Sequence, residues 1–171
     1  MKQFILLSCL IALLSSCNQK KSPINDSIET KKEVLSVKMD LKTSAKDEFK
    51  IMLNQIEIDE FQKINIHVSE FIPVTSNYES MTVNFFENVF SKKLVISLGN
   101  KSQKKVEIQS ISISKGSNSI DIPKAQIKDY FIASKFVTFD DELNIITKKI
   151  DGKHAPFLYA NNKLINLLTK K

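Results

Sequence analysis

The sequence predicts an all-β, jelly-roll-like β-sandwich with one or two short peripheral helices. From residue 33 onward, apolar side chains recur at every second position in a series of short runs. Period two is the signature of a strand with one face in a core and one in solvent. Turn-forming clusters separate the runs, and no alternation of strand with long helical pattern intervenes, so a parallel α/β sheet is disfavoured. There is no internal repeat. An aligned pair of sheets that bury alternate residues in a shared core accounts for this pattern directly.

The first run places Leu35, Val37, Met39 and Leu41 on one face and Ser36, Lys38 and Asp40 on the other. Thr43 to Asp47 punctuates it. Phe49, Ile51 and Leu53 form a second strand, which Ile56 and Ile58 extend past a bulge or turn. Ile64, Ile66 and Val68 form a third, with Asn65 and His67 opposite. Pro73 and Thr75-Ser76-Asn77 mark a loop. Met81, Val83 and Phe85 give a fourth strand. Phe86, Val89 and Phe90 crowd the turn after it, where some of them are expected to plug one end of the core. Leu94, Ile96 and Leu98 form a fifth strand, closed by Gly99-Asn100-Lys101. Val106 and Ile108 open a sixth, and the frame then moves by one residue to Ile111 and Ile113. Such a phase change within one alternating run is what a β-bulge produces.

After Gly116 and Asn118 the pattern loosens. Ile120 and Ile122 fit a short strand. Pro123 suits the first turn of a short helix reaching to Phe131, with Ile127, Tyr130 and Phe131 on one face. Phe136 to Phe139 reads as a strand stopped by Asp140-Asp141-Glu142. Leu143 to Ile146 is open between strand and loop. Lys163 to Leu168 fits a C-terminal helical turn.

The N-terminus carries a different signal. Lys2 precedes an apolar run from Phe4 to Leu14, interrupted by Ser8 and Cys9. A spanning helix needs roughly 20 apolar residues, so this run is too short to cross a bilayer comfortably. A charged start, a short apolar stretch and small residues before a cleavage point define an export signal. The run ends in Leu14-Ser15-Ser16-Cys17, which resembles the lipobox of bacterial lipoproteins. That resemblance implies a diacylglycerol on the Cys17 thiol, cleavage before Cys17, and a membrane-tethered product. The expected organisation is a signal peptide over 1–16, the lipidated cysteine and a polar flexible tether over 17–32, and one β-sandwich domain over 33–171. The rule known for enteric bacteria retains a lipoprotein in the inner membrane when aspartate follows the cysteine, and here the next residue is Asn18. The acidic run associated with surface export in Bacteroidetes is lacking too. The outer membrane is therefore expected over the inner.

Composition narrows the chemistry. All 25 basic residues are lysines, against 19 acidic residues, for a formal charge of +6. Arginine forks for phosphates and base edges are missing and the lysines are scattered, so nucleic acid is not the expected partner. Cys9 goes with the signal peptide and Cys17 with the lipid, which leaves no thiol in the body for a disulfide, a metal or a nucleophile.

The stretch Glu48-Phe49-Lys50-Ile51-Met52-Leu53 resembles a strand of jelly-roll modules in Bacteroidetes surface proteins. So does Lys93 to Asn100, followed by Val106-x-Ile108-x-x-Ile111-x-Ile113. The resemblance covers about residues 33 to 115. It implies a galactose-binding-like, carbohydrate-binding-module sandwich, of a kind often appended to glycan-processing enzymes. No ligand residues come with it, and tryptophan, the usual sugar platform, is absent.

The search for catalytic residues returns none. No serine elbow, phosphate loop or dinucleotide fingerprint is present. His67 and His154 do not form a ligand-spaced pair, and two histidines fall short of a three-ligand zinc site. Asp140-Asp141-Glu142 lacks the spacing of a helix-loop-helix calcium site. The jelly-roll resemblance leaves room for a structural calcium there; a solvated turn is the default, and no cofactor is expected. The candidate ligand residues are Tyr78 with Asn77, in the loop entering the fourth strand, and Tyr159 with Asn161, in a late loop. A ring offers apolar contact and an amide orients hydroxyls.

These readings converge on a non-catalytic cell-envelope lipoprotein acting as a binding or accessory module, with glycan as one candidate ligand. The alternatives are a structural or assembly partner of another envelope protein and a glycan-processing hydrolase. A contiguous apolar patch would favour the assembly reading, and a groove holding an exposed ring the glycan reading.

Overall fold

The computed structural model describes residues 33–170. The expected signal peptide, Cys17 and the expected tether lie outside the described residues. Eleven strands form two antiparallel sheets, with two short helices. This is an all-β sandwich, compatible with the jelly-roll-like architecture expected.

The strands are β1 (Leu35–Thr43), β2 (Asp47–Glu57), β3 (Lys63–Ile72), β4 (Glu79–Asn84), β5 (Lys93–Ser97) and β6 (Lys105–Lys115). They continue with β7 (Asn118–Pro123), β8 (Phe131–Ala133), β9 (Val137–Phe139), β10 (Ile145–Thr147) and β11 (Phe157–Ala160). The first sheet runs β4-β1-β6-β10-β9, with β7 also on β6. The second runs β3-β2-β5-β11-β8. Helix α1 (Ile127–Tyr130) follows a 3-10 turn at Lys124–Gln126, and α2 (Asn162–Thr169) ends the described chain.

The period-two faces meet in one core. Val37, Met39, Val106 and Ile113 from the first sheet pack with Phe49, Ile51, Leu53 and Ile96 from the second. The predicted frame shift in β6 is a bulge: Leu41 pairs with Ile108 but Asp40 pairs with Ser110, leaving Gln109 as the extra residue. The register also slips in β2 between Leu53 and Ile56, where Gln55 takes φ 57°.

Two expectations change. Strand β3 is an edge strand, and Ile64 and Val68 on its inward side remain 43% and 39% exposed. Alternation was read correctly, but an edge position leaves the core-facing side without full cover. Of the three apolar residues after β4, Val89 and Phe90 pack against the core cluster, while Phe86 is 80% exposed. Strands β8 and β11 were not anticipated. Both are short, and β11 presents apolar groups to both sheet faces, so no alternation marks it.

One polar interaction sits inside this framework. Asp47 opens β2 and Lys104 precedes β6, and their side chains are 1% and 0% exposed. Lys104 Nζ lies 2.5 Å from Asp47 Oδ2 and donates to the Leu98 carbonyl at 3.0 Å. Asp47 also accepts backbone N–H groups of Glu48 at 2.8 Å and Lys101 at 2.9 Å. Burial works to raise the Asp47 pKa, but the ammonium and these N–H donors outweigh it and hold the carboxyl below its ordinary value. Gly99, at φ +78°, packs directly on this carboxylate, and a Cβ there would collide with Asp47.

Because its folded pKa is lowered, Asp47 contributes stability that is complete above the unfolded carboxylate value. That contribution is lost as pH falls from about 4 through the folded value. Asp47→Asn strands a buried ammonium and should cost ~3–5 kcal/mol, with Lys104→Met costing a similar amount. The double variant should cost clearly less than the sum, as read by urea unfolding of all four forms. Gly99→Ala should cost at least ~1 kcal/mol from backbone strain alone.

Candidate functional site

The two predicted ligand sets lie on different sheets. Tyr78 sits just before β4 of the first sheet, and Tyr159 lies within β11 of the second.

Tyr78 is engaged with its own protein. Its hydroxyl donates to Glu107 Oε2 at 3.3 Å, and Lys42 Nζ sits 4.5 Å from its ring centroid. Lys42 also pairs with Glu107 at 3.4 Å. Burial would raise the Glu107 carboxyl, yet Lys42 and the Tyr78 hydroxyl bring it below its ordinary value. Asn77 is exposed, and its backbone carbonyl accepts Thr75 Oγ1 at 2.6 Å. This cluster fastens the loop before β4 onto β1 and β6.

Tyr159 is about as exposed as Tyr78, at 40% against 42%, but its hydroxyl and ring are not tied to a charged neighbour. It belongs to a strand, not to the loop anticipated. It pairs with Val95 on β5 and Ile132 on β8. Val95 pairs with Met52, and Met52 with His67. Directly opposed residues share a face, so His67, Met52, Val95, Tyr159 and Ile132 form one row across all five strands. The row faces away from the core cluster, which takes its strand neighbours Ile51, Leu53, Leu94, Ile96 and Leu158, although Val95 within the row is itself only 4% exposed. Tyr159 is 40% exposed, and its hydroxyl makes no hydrogen bond among the described residues. Phe157 supports it, with ring centroids 5.9 Å apart.

A groove of about 530 Å³ opens beside this ring, lined by Lys92, Lys93, Ile132, Tyr159, Asn161 and Asn162. That volume falls within the range of small-ligand sites. Lys92 and Lys93 are exposed and form no ion pair among the described residues. Asn161, expected to orient a ligand, is committed elsewhere. Its Oδ1 caps α2 by accepting the Leu164 N–H at 3.1 Å, and its Nδ2 donates to the Asp129 carbonyl at 2.8 Å. Asn162, at the first position of α2, is exposed in its place. Sequence reading missed Ile132, Lys92 and Lys93, because only strand pairing brings them to Tyr159.

Among the remaining candidates, only Asp140 and Glu142 of the acidic cluster are fully engaged by their own neighbours. His154 Nδ1 lies 3.0 Å from the Asn100 carbonyl, and its buried Nε2 has no partner among the described residues. His67 is exposed on β3. Asp140 accepts from the Asn144 backbone at 2.8 Å and pairs with Lys105 at 3.3 Å; Glu142 accepts Asn144 Nδ2 at 3.0 Å. Burial would raise the Asp140 carboxyl, but Asn144 and Lys105 hold it low. No group of three or more His, Cys, Asp or Glu side chains sits together among the described residues in a way that could hold a metal ion. No helix among them is long and apolar enough to cross a membrane. No family model, curated protein or solved structure matches this chain.

Asn161→Ala should lower stability by about 1–2 kcal/mol through loss of the helix cap, which a thermal melt would show. The same change should leave Tyr159 and Lys93 in place, as checked by the Tyr159 amide and ring signals in NMR spectra.

Proposed function

We propose that this protein is a lipid-anchored, non-catalytic binding module of the cell envelope, and that it captures glycan in the Tyr159 groove. The anchor reading rests on Leu14-Ser15-Ser16-Cys17 after a short apolar run. A single acyl chain holds weakly, while two or more anchor stably, so full lipidation keeps the body at its membrane.

The observation that carries the binding reading is a half-exposed tyrosine ring on the outer face of the second sheet, beside a groove bordered by an exposed amide and two lysines that form no ion pair among the described residues. The ring offers an apolar face to a sugar, the phenol and Asn162 offer hydrogen bonds to hydroxyls, and the lysines favour a saccharide bearing carboxylate, sulfate or phosphate. The likeness of the core strands to carbohydrate-binding modules points the same way, as fold analogy.

A second reading is favoured by β3. Its ten residues form a sheet edge with apolar groups left open, the arrangement that strand addition by a partner protein exploits.

Two measurements test the proposal. Labelled palmitate should enter the protein and be lost in Cys17→Ala. On a panel of acidic and neutral saccharides, the mature protein should retain acidic ones. Tyr159→Ala should weaken retention about tenfold or more, Tyr78→Ala should leave it unchanged, and salt should weaken it. No retention of any saccharide, with a stoichiometric protein recovered from solubilised envelopes, would replace glycan capture by the assembly reading.

A further inference from the structure

The described chain begins at Glu33, and the structure shows which end of the sandwich that is. The Glu33 carbonyl accepts the Asn88 N–H at 2.7 Å, and the Leu35 carbonyl accepts the Phe85 N–H at 2.9 Å. The segment between β4 and β5 is therefore laced to the chain's entry point. The same segment reaches the β2–β3 hairpin: the Ser91 hydroxyl donates to the Asn54 carbonyl, and Phe90 lines a hollow with Gln55, Glu57 and Lys63. The entry point, the β4–β5 segment and the β2–β3 hairpin thus share one end.

Two aromatic side chains project from that end on separate loops. Phe61, in the β2–β3 turn, is 93% exposed, and Phe86, in the β4–β5 segment, is 80% exposed. Neither is needed by the core. Asp59 Oδ1 accepts the N–H groups of Phe61 and Gln62, both at 2.8 Å, and so fixes the turn that presents Phe61. Ile58 adds a third exposed apolar group.

We infer that this end of the sandwich is a membrane-docking base, in which Phe61 and Phe86 enter the lipid interface beside the anchor. The inference rests on the reading of Cys17 as the lipidated residue. The occupant is a lipid surface because the tether joins the body here: only residues 18–32 separate Cys17 from Glu33. Fifteen residues reach at most ~50 Å. Such a short link gives this end a high effective concentration at the membrane, so weak apolar contacts suffice to orient the body. Aromatic rings favour the headgroup boundary.

The docking groups themselves are apolar, although Lys92 and Lys93, exposed and without an ion pair among the described residues, line the same hollow as Phe90. Lys63 is already paired with Glu57 at 3.3 Å, Lys115 is paired with Glu33, and the hairpin turn itself carries Asp59 and Glu60. Phe61 and Phe86 carry no charge, so docking should occur on lipid without net charge, and Lys92 and Lys93 should add to it where anionic lipid is present.

The test uses lipidated protein in phosphatidylcholine vesicles with an environment-sensitive fluorophore on a single introduced cysteine. The positions are Phe61→Cys, Phe86→Cys and, as control, Lys46→Cys in the exposed β1–β2 turn at the other end of the nine-residue β1. Labels at 61 and 86 should be quenched by aqueous iodide at least about fivefold less than the label at 46, unchanged in high salt. Equal quenching at all three on vesicle-bound protein would overturn the docking base and leave the anchor standing. Failure of the protein to float with vesicles would overturn the anchor and this inference together. Shielding that salt removes, or that appears without vesicles and grows with protein concentration, would assign the surface to charge contact or to a second copy and overturn it equally.

Discussion

Asp47 and Lys104 meet where no water reaches either, and the connection between the two sheets is organised around them. Asp47 begins β2 in the second sheet. Lys104 stands at the end of the segment that leaves β5 in the second sheet and enters β6 in the first. The lysine's own backbone is fixed to β10, since its N–H donates to Thr147 Oγ1 at 2.8 Å and its carbonyl accepts the Thr147 N–H at 2.9 Å. One buried pair thus determines how β2, β5, β6 and β10 come together. A buried pair is weak evidence for net stability, because desolvation offsets much of the attraction. What it supplies here is geometry: the carboxylate needs the Lys101 and Glu48 N–H groups, and those require Gly99 to turn with no side chain.

With that end closed by polar contacts, the opposite end and the outer face of the second sheet are left to meet other molecules. The tether end carries exposed aromatics on two loops. The outer face carries Tyr159 and Ile132, with Lys92 and Lys93 at the start of β5 between the two regions. Tyr78, by contrast, has its hydroxyl and ring tied to Glu107 and Lys42, and serves the fold.

The fold was legible wherever one sheet face is buried and the other wet. Strands β1, β2 and β6 alternate cleanly, and even the β6 bulge shows as a phase change from Ile108 to Ile111. Legibility fails where that asymmetry fails. Strand β11 packs Leu158 inward and supports Tyr159 with Phe157 outward, so its four residues show no polar-apolar contrast. The site was half legible. Tyr159 was singled out, but its assigned partner Asn161 is consumed as a helix cap. Asn162 is a near neighbour in sequence, but Ile132, Lys93 and Lys92 lie 27, 66 and 67 positions away along the chain, and strand pairing brings them to the ring. The Asp47–Lys104 pair left no sequence signal, because neither residue type marks burial.

The most direct measurement is a map of NMR chemical-shift changes on the mature protein as acidic saccharide is added. The account predicts changes centred on Tyr159, Ile132, Lys93 and Asn162, with the Tyr78–Glu107 cluster unmoved. Changes centred on Tyr78, or along the free edge of β3 with the groove silent, would contradict it.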